Sequence, residues 1–287
     1  MARPVLRVGC PMWAHRPWVG RWFPASTRPG TELGAYATWC TAVEGNTTFY
    51  ALPSTDAVRR WAELTPTTFR FCCKLPRTVT HDRRLRDARD EVQAFCDRMA
   101  PLGDRLGPTS VQLPGSFGPD DLGVLATFLD ELPGDWRWAV EVRHPAFFAG
   151  GAHEGALDDL LRAHRADRVI LDSRALFSQP PVTPLQVETQ DRKPALPVRP
   201  TATAGSPVVR FIGLDDPEAN PPFWAKWVPK LAGWLAAGLE PHVFLHTPDN
   251  VWSPVLARRL HAEVAALVPD LAPLPEPEVA ATQTTLW

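Results

Sequence analysis

Apolar and polar positions along the 287-residue chain alternate between two rhythms. Eight short β-branched or apolar runs, 6–10, 42–46, 69–74, 110–113, 138–142, 169–172, 208–212 and 242–246, read as strands. Segments 33–39, 56–64, 88–102, 119–132, 156–164, 222–237 and 253–267 carry apolar residues at helical spacing. Strands alternating with helices in this way predict an α/β protein, a single (β/α)8 TIM-type barrel, with functional residues at the C-terminal ends of the strands.

Two stretches break the rhythm. Between the sixth and seventh strands, 173–207 has prolines at 180, 181, 184, 194, 197, 200 and 207 and reads as a Pro-rich insertion, extended rather than helical, lying over the rim. The barrel is expected to span 1–268, and the proline-rich 269–287 to be a flexible tail.

Side chains alternate along a strand, so one parity packs on helices and the other faces the barrel axis. Val43, Phe71, Cys73, Val111, Leu113, Val140, Val142, Leu171, Val209, Phe211, Val243 and Leu245 form a uniformly apolar set, expected to face helices. The opposite set holds Glu44, Asn46, Lys74, Gln112, Glu141, Arg143, Asp172, Arg210 and His246. Charges inside a barrel are costly where Val, Ile and Leu would serve, which marks this set as a candidate site. Its three acids and three strong bases balance formally, so a structural ion-pair plug is the competing account.

The loops after the strands extend the set. Met12, Trp13, His15, Trp18, Trp22 and Phe23 offer faces for stacking, or simply cover a core. Thr48 and Tyr50 follow the second strand, His81 the third, and His144 the fifth.

Composition narrows the partners. A formal net charge of −2 and a pI near 6.4 give no global basic field, which disfavours a protein held on nucleic acid by charge alone. The start, MARPVLRVGC, lacks a signal-peptide core and no run is long enough to span a bilayer, so a cytoplasmic protein without membrane partners is expected. Cys10, Cys40, Cys72, Cys73 and Cys96 form an odd set without a C-x-x-C pair, which suggests neither a disulfide framework nor a zinc ribbon. No Walker-type loop or G-x-G-x-x-G occurs.

Several motifs carry a resemblance: V-G-C-P-M-W at 8–13, V-E-G-N-T-T-F-Y at 43–50, F-R-F-C-C-K at 69–74, Q-L-P-G-S-F at 112–117, V-E-V-R-H-P at 140–145 and V-R-F-I-G at 209–213. In this order they resemble the DUF72 family, also called YecE-like, from about Val8 to about Leu267. The resemblance implies a TIM-type barrel and leaves the chemistry unassigned. Glu44, Asn46, Lys74, His81, Gln112, Glu141, Arg143, His144 and Arg210 fall on matching positions. Ile212 stands where the family usually has histidine, and 245–250 departs from the family's eighth-strand pattern.

The candidate catalytic residues are Glu44, Glu141, Lys74 and His81, moving protons on an anionic, sugar-like or phosphorylated small molecule. Trp13, Asn46, Thr48, Tyr50, Gln112, Arg143, His144, Asp172, Arg210 and His246 are the candidate binding residues. No cofactor is expected and no metal ligand is assigned. A divalent-metal-dependent isomerase or phosphodiesterase, using Glu44, Glu141, Asp172 and a histidine, stays open as an alternative, although three nearby cations oppose a metal. Schiff-base chemistry at Lys74 would need burial that the adjacent carboxylates resist. A different class is a non-catalytic anion- or nucleic-acid-binding protein using Arg83, Arg84, Arg86 and Arg89. That run is interleaved with Asp82, Asp87, Asp90 and Glu91 and reads first as a solvated, ion-paired helix entrance.

Overall fold

A computed structural model describes Arg3 to Pro277. It contains β1 (Arg7–Gly9), β2 (Ala42–Gly45), β3 (Arg70–Cys73), β4 (Thr109–Gln112), β5 (Trp138–Glu141), β6 (Asp167–Asp172), β7 (Val208–Ile212) and β8 (His242–His246). The helices are α1 (Glu32–Tyr36), α2 (Thr55–Glu63), α3 (Arg89–Met99), α4 (Leu122–Glu131), α5 (Ala152–Ala163), α6 (Pro184–Arg192), α7 (Pro221–Trp224), α8 (Trp227–Ala236) and α9 (Ser253–Ala265). Each strand run read from the sequence overlaps one of these strands, with β4 starting one residue and β6 two residues earlier than read.

The strands pair in parallel, as β1-β8-β7-β6-β5-β4 and as a separate β2-β3 ladder, giving an α/β fold. Backbone hydrogen bonds cross both breaks: Thr41 N to Val8 O (3.2 Å) and Glu44 N to Cys10 O (3.1 Å) join β1 to β2, and Leu75 N to Ser110 O (2.9 Å) joins β3 to β4. At the first break Tyr36 Oη accepts from Cys10 N (2.7 Å) and donates to Ala42 O (2.9 Å). Gly9 is required there, because a Cβ would stand 1.9 Å from Ala42 O.

One strand face packs on helices. Val209, Phe211, Val243 and Leu245 meet Trp227 and Leu231 of α8 and Leu260 and Val264 of α9. Val43, Phe71, Val111 and Val140 share a second cluster with Phe95 of α3 and Leu125 of α4. The opposite face gathers Ala42, Cys72, Ala139, Val169, Val208 and Phe244 from six strands into one apolar layer. That layer supports the charged groups at the strands' C-terminal ends.

Two expectations are corrected. The stretch between β6 and β7 is not extended throughout: Thr183 Oγ1 accepts from Gln186 N (3.2 Å), Gln186 Oε1 accepts from Thr183 N (3.3 Å), and Pro184 occupies the first turn, so a capping box starts α6. No α6 residue is buried, so the helix lacks the apolar stripe that would have signalled it. In the expected tail, Leu271 and Leu274 pack in the α8/α9 cluster and Arg258 Nη1 donates to Pro275 O (2.6 Å), which fixes the chain as far as the description reaches. The remaining tail, 278–287, lies outside the described residues. Among the described residues no helix is long and apolar enough to cross a membrane.

Candidate functional site

Strand pitch and register bring the polar set together. Gln112 pairs with Glu141 across β4 and β5, and Ile212 with His246 across β7 and β8, so each pair points to the same side. Arg210 is the hub. Its Nη1 donates to Glu141 Oε2 (2.8 Å), its Nη2 to Glu44 Oε2 (3.4 Å), and its Nε contacts Glu44 Oε1. Arg143 Nε donates to Glu141 Oε1 (2.8 Å). Lys74 Nζ donates to Gln112 Oε1 (2.9 Å) and lies 3.6 Å from Glu44 Oε1. Asn46 Nδ2 donates to Glu44 Oε2 (2.9 Å) and to Pro11 O (3.0 Å), while His246 Nε2 stands 3.1 Å from Glu44 Oε2.

The network fixes protonation states. Burial pushes the Glu44 carboxyl up, but Arg210, Lys74 and His246 overcome it and hold it well below the usual carboxylate range. Burial is likewise overcome at Glu141 by Arg143, Arg210 and Lys74. Both glutamates are therefore carboxylates at neutral pH, not proton donors. Burial, then repulsion from Arg210, brings Lys74 down to about 8 against the pull of Glu44 and Glu141. Burial lowers His246 to about 4 in spite of Glu44, leaving a neutral imidazole.

Above the network lies a cavity of about 690 Å³, a size typical of small-molecule sites. Lys74, Gln112, Arg143, Arg210 and His246 form its floor, Asn46, Phe49 and Tyr50 one wall, and Leu185, Glu188, Thr189, Arg192 and Lys193 from α6 and its end another. Ile212 contributes an apolar patch.

Lys193 was missed by the sequence reading, which treated its segment as a loop. Burial, then Arg210 and Lys74, lower it to about 7. A compositional signal was available: only four of the 30 basic residues are lysines, and two of those four, Lys74 and Lys193, line this cavity. A chain that uses arginine almost everywhere keeps lysine where an amine able to lose its proton would matter.

Other predicted site residues lie elsewhere. Asp172 faces the helices: register pairs it with Phe211 and pairs Leu171 with Arg210, and its Oδ2 accepts from Trp227 Nε1 (2.8 Å) and Arg174 Nη2 (2.7 Å). Leu171 correspondingly belongs to the inner set, with Leu176 and Ile212. Trp13 stacks edge-on against Trp61 of α2 (5.0 Å) and Phe71 (6.2 Å), outside the cavity. Trp18 and Phe23 are fully buried core, so the aromatic cluster largely covers the fold. Thr48 is structural, with Lys74 N donating to its Oγ1 (3.0 Å) and Oγ1 to Lys74 O (2.7 Å). His144 Nδ1 accepts from Ala146 N (3.2 Å) as a turn cap. His81 stands behind Phe49, edge-on at 5.2 Å, with Nδ1 2.9 Å from Thr80 Oγ1. Burial, then Arg143 and Arg77, lower its pKa.

Arg83 and Arg84 are paired with Glu91 (2.6 Å) and Asp121 (2.9 Å). All five cysteines are buried, and burial, then Cys40, push the Cys10 thiol up, away from nucleophilic character. Among the described residues no three His, Cys, Asp or Glu side chains converge as metal ligands. Glu44 has cations for neighbours and Asp172 points away, so the donor set does not fit the metal-dependent alternative.

A family model described as "Protein of unknown function DUF72" matches residues 7–279. The UPF0759 protein YecE of Escherichia coli strain K12 is 42% identical over 272 residues, covering 94% of this chain and 97% of that protein. Its O157:H7 counterpart is 41% identical over the same shares. The crystal structure of a DUF72 family protein from Thermotoga maritima MSB8 superposes with a TM-score of 0.65 at 22% identity, covering 92% of this chain and 99% of that one. One from Enterococcus faecalis V583 gives 0.62 at 20% identity, covering 79% and 92%. These structures share the fold.

Proposed function

The chain belongs to the DUF72 family, and from that premise we propose that its strands close into a (β/α)8 barrel whose rim cavity binds a small anionic molecule and moves a proton on it. The hydrogen bonds that bridge β1 to β2 and β3 to β4 support closure. The observation that carries the functional reading is the charge balance of the cavity. With Asp172 turned to the helices and Arg192 of the cavity wall paired with Glu188, two carboxylates, Glu44 and Glu141, face three cations, Lys74, Arg143 and Arg210, and Lys193 adds an amine with no carboxylate partner among the described residues. A surplus of buried positive charge over an open cavity is a seat for a carboxylate or phosphate.

Arg143, on the cavity floor, supplies a planar fork for the anion, and Asn46 and Gln112 supply amides for hydroxyl groups. Glu44 and Glu141 hold Arg210 in place and tune the lysines rather than exchange protons themselves. Lys74, at about 8, and Lys193, at about 7, are the groups poised to give and take a proton near neutrality.

The test is binding. Thermal unfolding and calorimetry with inorganic phosphate, phosphorylated sugars, sugar acids and the matching neutral sugars should show stabilisation by the anions alone. Lys193→Met should weaken phosphate binding roughly tenfold, the size of one lost charge-assisted contact. Equal effects of neutral and anionic sugars, or no effect of any anion at millimolar concentration, would overturn the proposal.

A further inference from the structure

We propose that Lys193 is an imine-forming amine, and that the cavity's substrate is a small molecule bearing both an anionic group and an aldehyde or ketone. The inference rests on the anion-binding reading and adds the second functional group to the substrate.

Three observations converge on this side chain. First, every other cation lining the cavity has a carboxylate within 4 Å: Lys74 has Glu44, Arg143 has Glu141, Arg192 has Glu188 (2.6 Å), and Arg210 has both Glu44 and Glu141. Among the described residues Lys193 has none, so no partner secures its ammonium form. Secondly, Lys193 is held rather than dangling. It ends α6 in an extended conformation (φ −111°, ψ 135°), as a residue before proline prefers, and Ser173, just after β6, donates its Oγ hydrogen to Pro194 O (2.8 Å). That hydrogen bond ties the lysine to the C-terminal end of a strand, where a reacting group needs to be positioned. Thirdly, the chain's scarcity of lysine makes its presence here informative, because a guanidinium would bind an anion as well but forms no imine. Crowding by Arg210 and Lys74, added to burial, brings the amine to about 7, so a large share is the neutral nucleophile at physiological pH.

The chemistry balances without an oxidant or reductant. The Lys193 Nζ lone pair forms a bond to the carbonyl carbon, and the carbonyl π electrons move to oxygen, which takes a proton from the Lys74 ammonium. The nitrogen of the carbinolamine then gives up a proton to the hydroxyl group, the C–O bond breaks and water leaves, giving an iminium between Nζ and carbon. Arg143 holds the anionic end. The iminium withdraws electrons from the adjacent carbon, which is what a proton transfer at that carbon requires.

The test uses the full chain with glyoxylate, a 2-oxo acid with an aldehyde carbon, and cyanoborohydride at pH 7.5, followed by intact mass and peptide mapping. Lys226 and Lys230, remote from the cavity, serve as internal references. Labelling at Lys193 should exceed theirs at least tenfold, and inorganic phosphate should suppress it. Lys193→Arg should abolish the label, because a guanidinium forms no imine, whereas Lys226→Arg, remote from the cavity, should change neither the Lys193 label nor phosphate binding. Equal labelling of all four lysines, or preferential labelling of Lys74, would overturn the assignment. Phosphate binding without any label would overturn imine chemistry and leave the anion site standing; absence of both would overturn the two readings together.

Discussion

Arg210 Nη1 lies 2.8 Å from Glu141 Oε2, and the other side of the same guanidinium reaches Glu44, so one side chain on β7 joins carboxylates carried by β5 and β2. Three strands distant in sequence are thereby held through a single fully buried group. Removing one member of such a network costs more than the pairing itself contributed, because the remaining charges are left buried.

Arg210→Met should accordingly destabilise the fold by about 3–5 kcal/mol. Urea unfolding at pH 7.5 measures it. A loss under about 1 kcal/mol, the range of exposed ion pairs, would mean that the two carboxylates find water or other partners.

Asp172 separates structure from binding. Asp172→Ala leaves Trp227 Nε1 buried without an acceptor and should cost about 1–3 kcal/mol, yet phosphate affinity should stay within about twofold, since the carboxylate faces the helix layer. A large drop in affinity at unchanged stability would return Asp172 to the cavity.

Tyr36→Phe probes the contact between β1 and β2. Its hydroxyl serves both Cys10 N and Ala42 O, so its removal orphans two buried backbone groups at about 1–3 kcal/mol each. Hydrogen exchange at Cys10 N should accelerate before that of β7; unchanged protection would show that the direct β1–β2 bonds suffice.

Stability should fall on the acid side earlier than carboxylates alone would cause. Burial depresses His242 to about 3 in the folded protein against an ordinary value of 6.5. The unfolded chain therefore takes up the proton first, and the stability present above pH 6.5 is lost as pH falls towards 3, by ~1.4 kcal/mol per unit. Depressed Glu44 and Glu141 add their own loss below their ordinary value near 4.5. Burial also lowers His246 and His261 to about 4, so urea midpoints between pH 7.5 and 5 should decline in the natural chain and decline less steeply in His242→Gln; parallel profiles would show that His242 takes no part.

The sequence by itself determined the eight strands, the helices that follow most of them, and the inward placement of Glu44, Lys74, Gln112, Glu141, Arg210 and His246. Alternation records parity wherever one face is apolar and the other polar, and β2, β3, β5, β7 and β8 keep that record. β6 does not, because both its faces are buried and Val169, Ile170 and Leu171 are equally apolar, so only pairing with β7 decided that Leu171 turns inward and Asp172 outward. The sequence likewise gave no reason to bring Lys193 to Lys74. α6 carries no apolar stripe, and what brings its end to the cavity is a capping box and the hydrogen bond from Ser173 to Pro194. Periodicity reports which residues avoid water; it does not report polar contacts between distant segments, and those contacts gave the cavity its positive balance.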